Sequence, residues 1–133
     1  MLAVAYRSTN ETVYSAKYQI VWCPKYRRRV LGGAVGERLR ELVAEVAGEL
    51  GVAVVEMGVM ADHVLLLVEI PPAVGLSRFV GLAKGRTSRV LRQEFGALRR
   101  WPILWTPSWF VSTVGGAPLE IVRRYVENQE TAG

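Results

Sequence analysis

Two side chains near the C-terminal end, Tyr125 and Gln129, stand four residues apart, the spacing that puts both on one face of a helix. A tyrosine can serve as a covalent nucleophile. Its phenol has a pKa of about 10, so it needs a basic or metal-rich setting to react at neutral pH. A glutamine carbonyl oxygen one turn further on can ligate a hard cation. The same spacing equally suits a ring that packs on a sheet. The sole histidine, His63, follows Asp62 and opens an apolar run. On a strand, His63, Leu65 and Leu67 point to one side. An imidazole there can bind a metal or position a proton, or simply hydrogen-bond to backbone.

These residues need elements to hold them. Residues 13–22 are rich in β-branched and aromatic side chains and predict a strand. A basic loop follows, Pro24 to Arg29, and then a break at Gly32-Gly33. Residues 37–50 predict a helix, with Leu39, Leu42, Val43, Val46 and Leu50 on one face, Glu37 in the first turn and Gly51 just past the end. Residues 52–59 and 63–70 predict two strands around a short turn at 60–62, an antiparallel hairpin ended by Pro71-Pro72. The second is apolar on both faces, which suits a central strand covered on both sides. A helix is expected over 76–94, with Leu76, Phe79, Val80, Ala83, Thr87, Val90 and Leu91 inward. After a tryptophan-containing loop come a strand over 108–114, the Gly115-Gly116 break, and a last helix from Pro118 to about residue 130. The order β-α-β-β-α-β-α, in one domain over residues 1–133, implies an α+β fold: an antiparallel sheet with packed helices, of ferredoxin-like type.

Composition narrows the partners. The chain has 133 residues, half of them apolar, a formal charge of +5 and a pI near 9.8. Such a balance favours a polyanion such as nucleic acid or an acidic membrane. Cys23 is the single cysteine, which excludes an intrachain disulfide and a multi-cysteine zinc site and suits a reducing compartment. The N-terminal residues lack a signal-peptide pattern, and the longest apolar stretch, 64–68, is far too short to span a bilayer. Arg27, Arg28 and Arg29 share one loop, and Arg78, Lys84, Arg89 and Arg92 share one helix face, so both groups are candidate phosphate contacts. Gly81 and Gly85 lie on that same face and would let a backbone come close. An ordinary solvated helix face has the same pattern. Trp101, Trp105 and Trp109 could stack on unpaired bases, although core packing is expected for at least one of them.

Five segments, in order, resemble the single-tyrosine HUH transposases of the TnpA type, a group that includes the REP-associated tyrosine transposases. Tyr18 to Arg27 resembles the family's first strand and basic loop. Met60-Ala61-Asp62-His63-Val64-Leu65-Leu66-Leu67-Val68 resembles its histidine-hydrophobe-histidine segment. Lys84-Gly85 with Ser88, then Leu104 to Trp109, and Tyr125-Val126-Glu127-Asn128-Gln129 complete the match. One position departs: Leu65 stands where the family has its second histidine.

The resemblance implies an RRM-like HUH fold and a DNA transposase that cleaves and rejoins single-stranded DNA at insertion-sequence ends. Tyr125 would be the catalytic nucleophile, forming a 5′-phosphotyrosine. Mg2+ or Mn2+ would be held by His63 and Gln129, with Asp62 as helper, at a site weakened by Leu65. The implied partners are single-stranded DNA, DNA hairpins at element ends and a second copy in a homodimer, with no membrane. Gly115-Gly116 would be the hinge of the tyrosine helix, acting in cis or in trans. The expected setting is the prokaryotic cytoplasm, at the nucleoid. Leu65 keeps an alternative open, a relative that binds hairpin DNA and no longer cuts it. A small-molecule-binding domain with merely solubilising charges is a third reading.

Overall fold

The computed structural model describes residues 7–8, 13–14, 17–113 and 119–132. The Gly115-Gly116 pair and Pro118 lie outside these residues. Two short strands, β1 (Arg7–Ser8) and β2 (Val13–Tyr14), pair with each other. β3 (Lys17–Trp22) belongs to the main sheet. The strand expected over 13–22 is therefore two strands in two sheets.

Helix α1 spans Gly33–Leu50 and starts four residues before the expected Glu37, which places Glu37 in the second turn. Gly36, inside this added turn, lies so close to the backbone of Leu31 that a Cβ would stand 2.5 Å from the Leu31 carbonyl oxygen. Gly51 ends the helix with φ 72°, a left-handed cap suited to glycine, and its N–H points back to the carbonyls of Ala47 and Gly48. Strands β4 (Ala53–Met60) and β5 (His63–Glu69) form the expected hairpin, paired from Ala53–Glu69 to Met60–His63. Helix α2 (Leu76–Glu94) has the expected bounds. Its C-terminal carbonyls, at Arg92 and Gln93, accept from the Arg99 guanidinium at 3.1 and 2.5 Å, a cation where the helix dipole favours one. β6 (Phe110–Thr113) and α3 (Leu119–Ala132) follow.

The main sheet is antiparallel, in the order β4-β5-β3-β6, so β5 is central as its two-sided apolarity predicts. Alternation divides its two faces. Ile20 and Trp22 of β3 and Val64, Leu66 and Val68 of β5 point to α1 and α2, where they meet Leu39, Leu42, Val43, Val46, Phe79, Val80 and Leu91 in the main core. Each such side chain, fully buried, contributes roughly 1.5–3 kcal/mol. Val21, Cys23 and Leu65 point to the opposite face, where Val126 and Tyr125 of α3 and Phe110 of β6 cover them. On the outside, Arg38 of α1 pairs with Glu94 of α2 at 2.9 Å, and Arg86 of α2 pairs with Glu45 and Glu49 of α1.

Candidate active site

His63 opens β5 with the same parity as Leu65, so it lies on the face that α3 covers. Tyr125 packs against that face. The imidazole and the phenol are therefore on one side of the sheet, within one chain. The Nδ1 of His63 stands 2.8 Å from Asp62 Oδ1. The second oxygen of Asp62 takes the Nε of Arg27 at 2.8 Å and lies 3.8 Å from Arg29 Nη1. Burial alone would raise the Asp62 carboxyl. The hydrogen bond from His63 and the charges of His63 and Arg27 outweigh burial and hold it below its usual range. The carboxylate is therefore ionised and holds the imidazole through Nδ1, which leaves Nε2 as the ring nitrogen not engaged by Asp62. A carboxylate on one ring nitrogen is a common way of orienting a metal-ligating histidine. Asp62, expected as a helper at the metal site, meets His63 through Oδ1 and Arg27 through Oδ2.

At the other end of the site, the Oγ of Ser108 gathers the α3 residues. It stands 3.1 Å from the Tyr125 hydroxyl and donates to Gln129 Oε1 at 3.2 Å. The Gln129 amide also reaches back to the Tyr125 carbonyl at 3.5 Å, as the shared helix face predicts. Burial raises the Tyr125 phenol above its ordinary pKa, with the Ser108 hydrogen bond opposing. In this arrangement the hydroxyl is protonated at neutral pH.

Ser108 is in turn held by its loop. Lys25 N–H donates to the Leu104 carbonyl at 2.8 Å and Thr106 N–H to the Cys23 carbonyl at 3.0 Å, so the segment 104–106 lies along the end of β3. The ammonium of Lys84 donates to the carbonyls of Thr106, Pro107 and Ser108 at 2.7, 3.3 and 3.1 Å. Burial pulls Lys84 down to about 8. Lys84, expected among the phosphate contacts, is a loop anchor in this structure, because its half-buried amine is occupied by backbone. Burial and the Asp62 charge push the Cys23 thiol up to about 12, so it stays neutral.

Other expected contacts divide in the same way. Arg27 is tied to Asp62, with its side chain mostly buried, whereas Arg29 is 73% exposed. Arg89 and Arg92 line an open cleft of about 400 Å³ with Gly85 and Ser88, and Arg78 is exposed on the same helix. Trp105 is a core residue: its indole N–H donates to Thr87 Oγ1 at 2.9 Å, and its ring meets Trp22 edge-on at 6.0 Å. Trp109 is partly buried against the same core. Sequence reasoning placed Ser108 within a matching segment but gave it no role. Its role depends on the meeting of a loop and a helix, which no spacing along the chain reports.

Among the described residues, no three His, Cys, Asp or Glu side chains gather closely enough to hold a metal ion, and no helix is long and apolar enough to cross a membrane.

The family model described as "Transposase IS200 like" matches residues 12–129. This chain belongs to the IS200-like transposase family. The sequence resemblance to TnpA-type transposases is thereby borne out. The ISDra2 transposase TnpA of Deinococcus radiodurans is 34% identical over 120 residues, covering 88% of this chain and 86% of that protein. The transposase for insertion sequence element IS200 of Salmonella typhimurium is 32% identical over 126 residues, covering 92% and 82%. The crystal structure of a candidate transposase from Deinococcus radiodurans R1 superposes with a TM-score of 0.85 at 31% identity, covering 95% of this chain and 99% of that one. A REP-associated tyrosine transposase bound to a REP hairpin shares the fold, with a TM-score of 0.61 at 12% identity, covering 91% of this chain and 68% of that one. The α+β fold expected for an IS200-like transposase is the fold this chain has.

Proposed function

We propose that this transposase cleaves and rejoins single-stranded DNA with Tyr125 as its nucleophile. The observation that supports this reading is the placement of His63 and Tyr125 on one sheet face, with the Tyr125 hydroxyl and Gln129 Oε1 both held by Ser108 Oγ. In the first step the Tyr125 oxygen attacks a phosphodiester phosphorus and loses its proton. The bond from phosphorus to the 3′-oxygen breaks, and that oxygen leaves as a hydroxyl after taking up a proton. A 5′-phosphotyrosine remains. In the second step another 3′-hydroxyl displaces Tyr125 and seals a new junction. The phosphoester bond is conserved throughout, so no nucleotide hydrolysis is needed.

The raised pKa of Tyr125 means that the proton must be drawn off locally. His63 Nε2 and Gln129 Oε1 would hold magnesium or manganese, and such an ion would supply charge to the phosphate oxygens. Leu65 fills the place of a third donor and packs on Val21 and Cys23. The exposed arginines Arg29, Arg78 and Arg89, with Arg92, are the proposed phosphate contacts. DNA hairpins at element ends are the proposed substrates, as in the hairpin-bound neighbour, and the proposed place of action is the nucleoid. A homodimer is part of the reading. Tyr125 packs against its own chain's sheet here, which favours action in cis in this state.

The test is incubation of the protein with end-labelled single-stranded DNA carrying a hairpin, in manganese. A cleaved strand and a protein–DNA adduct that disappear in Tyr125→Phe are expected. The second reading, a binder that no longer cuts, rests on Leu65. Tight hairpin binding with no adduct would favour it.

A further inference from the structure

We infer that the basic loop after β3 and the loop after α2 together form a stacking ladder for unpaired bases, leading the DNA strand to the His63 side of the active site. The ladder alternates cations and rings. Lys25 Nζ lies 5.6 Å from the centre of the Tyr26 ring, and the Arg28 guanidinium carbon 5.2 Å from the same ring. Arg28 also lies 4.4 Å from the Trp101 ring, and Arg100 lies 4.5 Å from it. Arg28 therefore bridges two aromatic rings on two separate loops. Among the described residues, neither Arg28 nor Arg100 pairs with a carboxylate; Glu94 nearby is paired with Arg38.

The backbone is shaped to present this surface. Tyr26 has φ 59° and ψ 21°, and Arg27 has φ 52°, both in the left-handed region that a bulky residue adopts only when its surroundings impose it. The surroundings are visible. Lys25 N–H is fixed to Leu104 and Arg27 is turned inward to Asp62. That pair of anchors leaves Tyr26 turned out and 52% exposed, with Lys25 and Arg28 beside its ring. Core packing does not explain an outward tyrosine in a strained conformation. Trp101 then borders an open cleft of about 490 Å³ lined by Val30, Val35, Phe95, Leu98 and Arg100, and by Glu94, whose charge Arg38 balances. Apolar walls beside the Arg100 cation suit bases flanked by phosphates, and aromatic faces accept any base. Arg27 links the ladder to the Asp62–His63 pair directly, so a strand stacked on Tyr26 passes beside the candidate metal ligand.

This inference rests on the reading that the chain handles single-stranded DNA, and the experiment separates the two. Fluorescence anisotropy is measured with an oligothymidylate and with an abasic strand of the same length, which keeps the phosphates and lacks the bases. The wild-type protein should prefer the thymidylate by about tenfold or more, the range of one stacked base. Tyr26→Leu should lose most of that preference while keeping the salt dependence that phosphate contacts give. Tyr26→Phe should retain the preference, and Trp101→Leu should reduce it. If Trp101→Leu fails to fold, the surface variant Tyr26→Leu still decides. Equal wild-type affinity for both strands, or an undiminished preference in Tyr26→Leu, overturns the ladder and leaves DNA binding standing. Binding to neither strand overturns both.

Discussion

Leu65→His should strengthen the proposed metal site at a cost in stability. The two positions, 63 and 65, are alternate residues of one strand, so their Cα atoms are about 7 Å apart and their side chains point the same way. Two imidazoles at that spacing can reach one ion. The cost follows from what Leu65 touches. It is partly buried against Val21, Cys23, Val126 and Tyr125. A fully buried leucine contributes roughly 1.5–3 kcal/mol, and an imidazole retains part of that burial, so the exchange should cost about 1 kcal/mol. For a chain of this size that lowers Tm by roughly 3–5 °C. The gain is read through metal linkage. Manganese at a hundredfold excess over its dissociation constant stabilises by about 2.7 kcal/mol, which outweighs the loss. Melting curves in chelator and in graded manganese measure both terms. The variant should melt below the wild type in chelator and above it in manganese, with metal affinity at least tenfold tighter, and its DNA cleavage should rise in parallel. If Leu65→His gains neither metal-dependent stability nor cleavage, His63 does not face a metal site and the account of this face is wrong.

Further outcomes follow from the same contacts. Asp62→Asn removes the carboxylate charge that His63 and Arg27 share, so cleavage should fall about 10–100-fold, the usual effect of losing a group that orients a ligand, as single-turnover rates would show. Asp62 is held below its unfolded pKa, so its contribution to stability is present above about pH 4 and is lost as pH falls through the folded value. The wild-type protein should lose this advantage over Asp62→Asn in acid melts. Ser108→Ala should slow cleavage about tenfold and displace its pH profile to the alkaline side, because the hydrogen bond that opposes the rise in the Tyr125 pKa is gone, and Ser108→Thr should restore both. Lys84 titrates near 8 when folded and near 10.5 when unfolded. Between those values the unfolded chain binds the extra proton, so the stability of wild type relative to Lys84→Met should rise with pH across that window. A flat difference in Tm from pH 8 to 10 would show that Lys84 is not buried as described.

Much of this was legible along the chain. The apolar residues on both faces of 64–68 announced a central strand, and the stripe of Leu39, Leu42, Val43 and Val46 announced α1. The pairing of Tyr125 with Gln129 needed only helical spacing. What was illegible depends on the approach of distant segments. Lys84 looks like one more basic residue of a DNA-facing helix until three carbonyls of the loop 106–108 converge on it. The ion pair that folds Arg27 back onto Asp62 has no signature along the chain. Tyr26 sits in a basic run that reads as a phosphate contact, and its left-handed backbone is imposed by Leu104 and Asp62, eighty and forty residues away along the chain, roughly.

The central claim is that Tyr125 carries the cleaved strand. Mass spectrometry of proteolysed protein, after reaction with a single-stranded DNA trimmed to its terminal nucleotides, tests it directly. The account predicts a nucleotide attached through its 5′-phosphate to the peptide that contains Tyr125. Attachment to any other residue, or the same adduct formed by Tyr125→Phe, would contradict it.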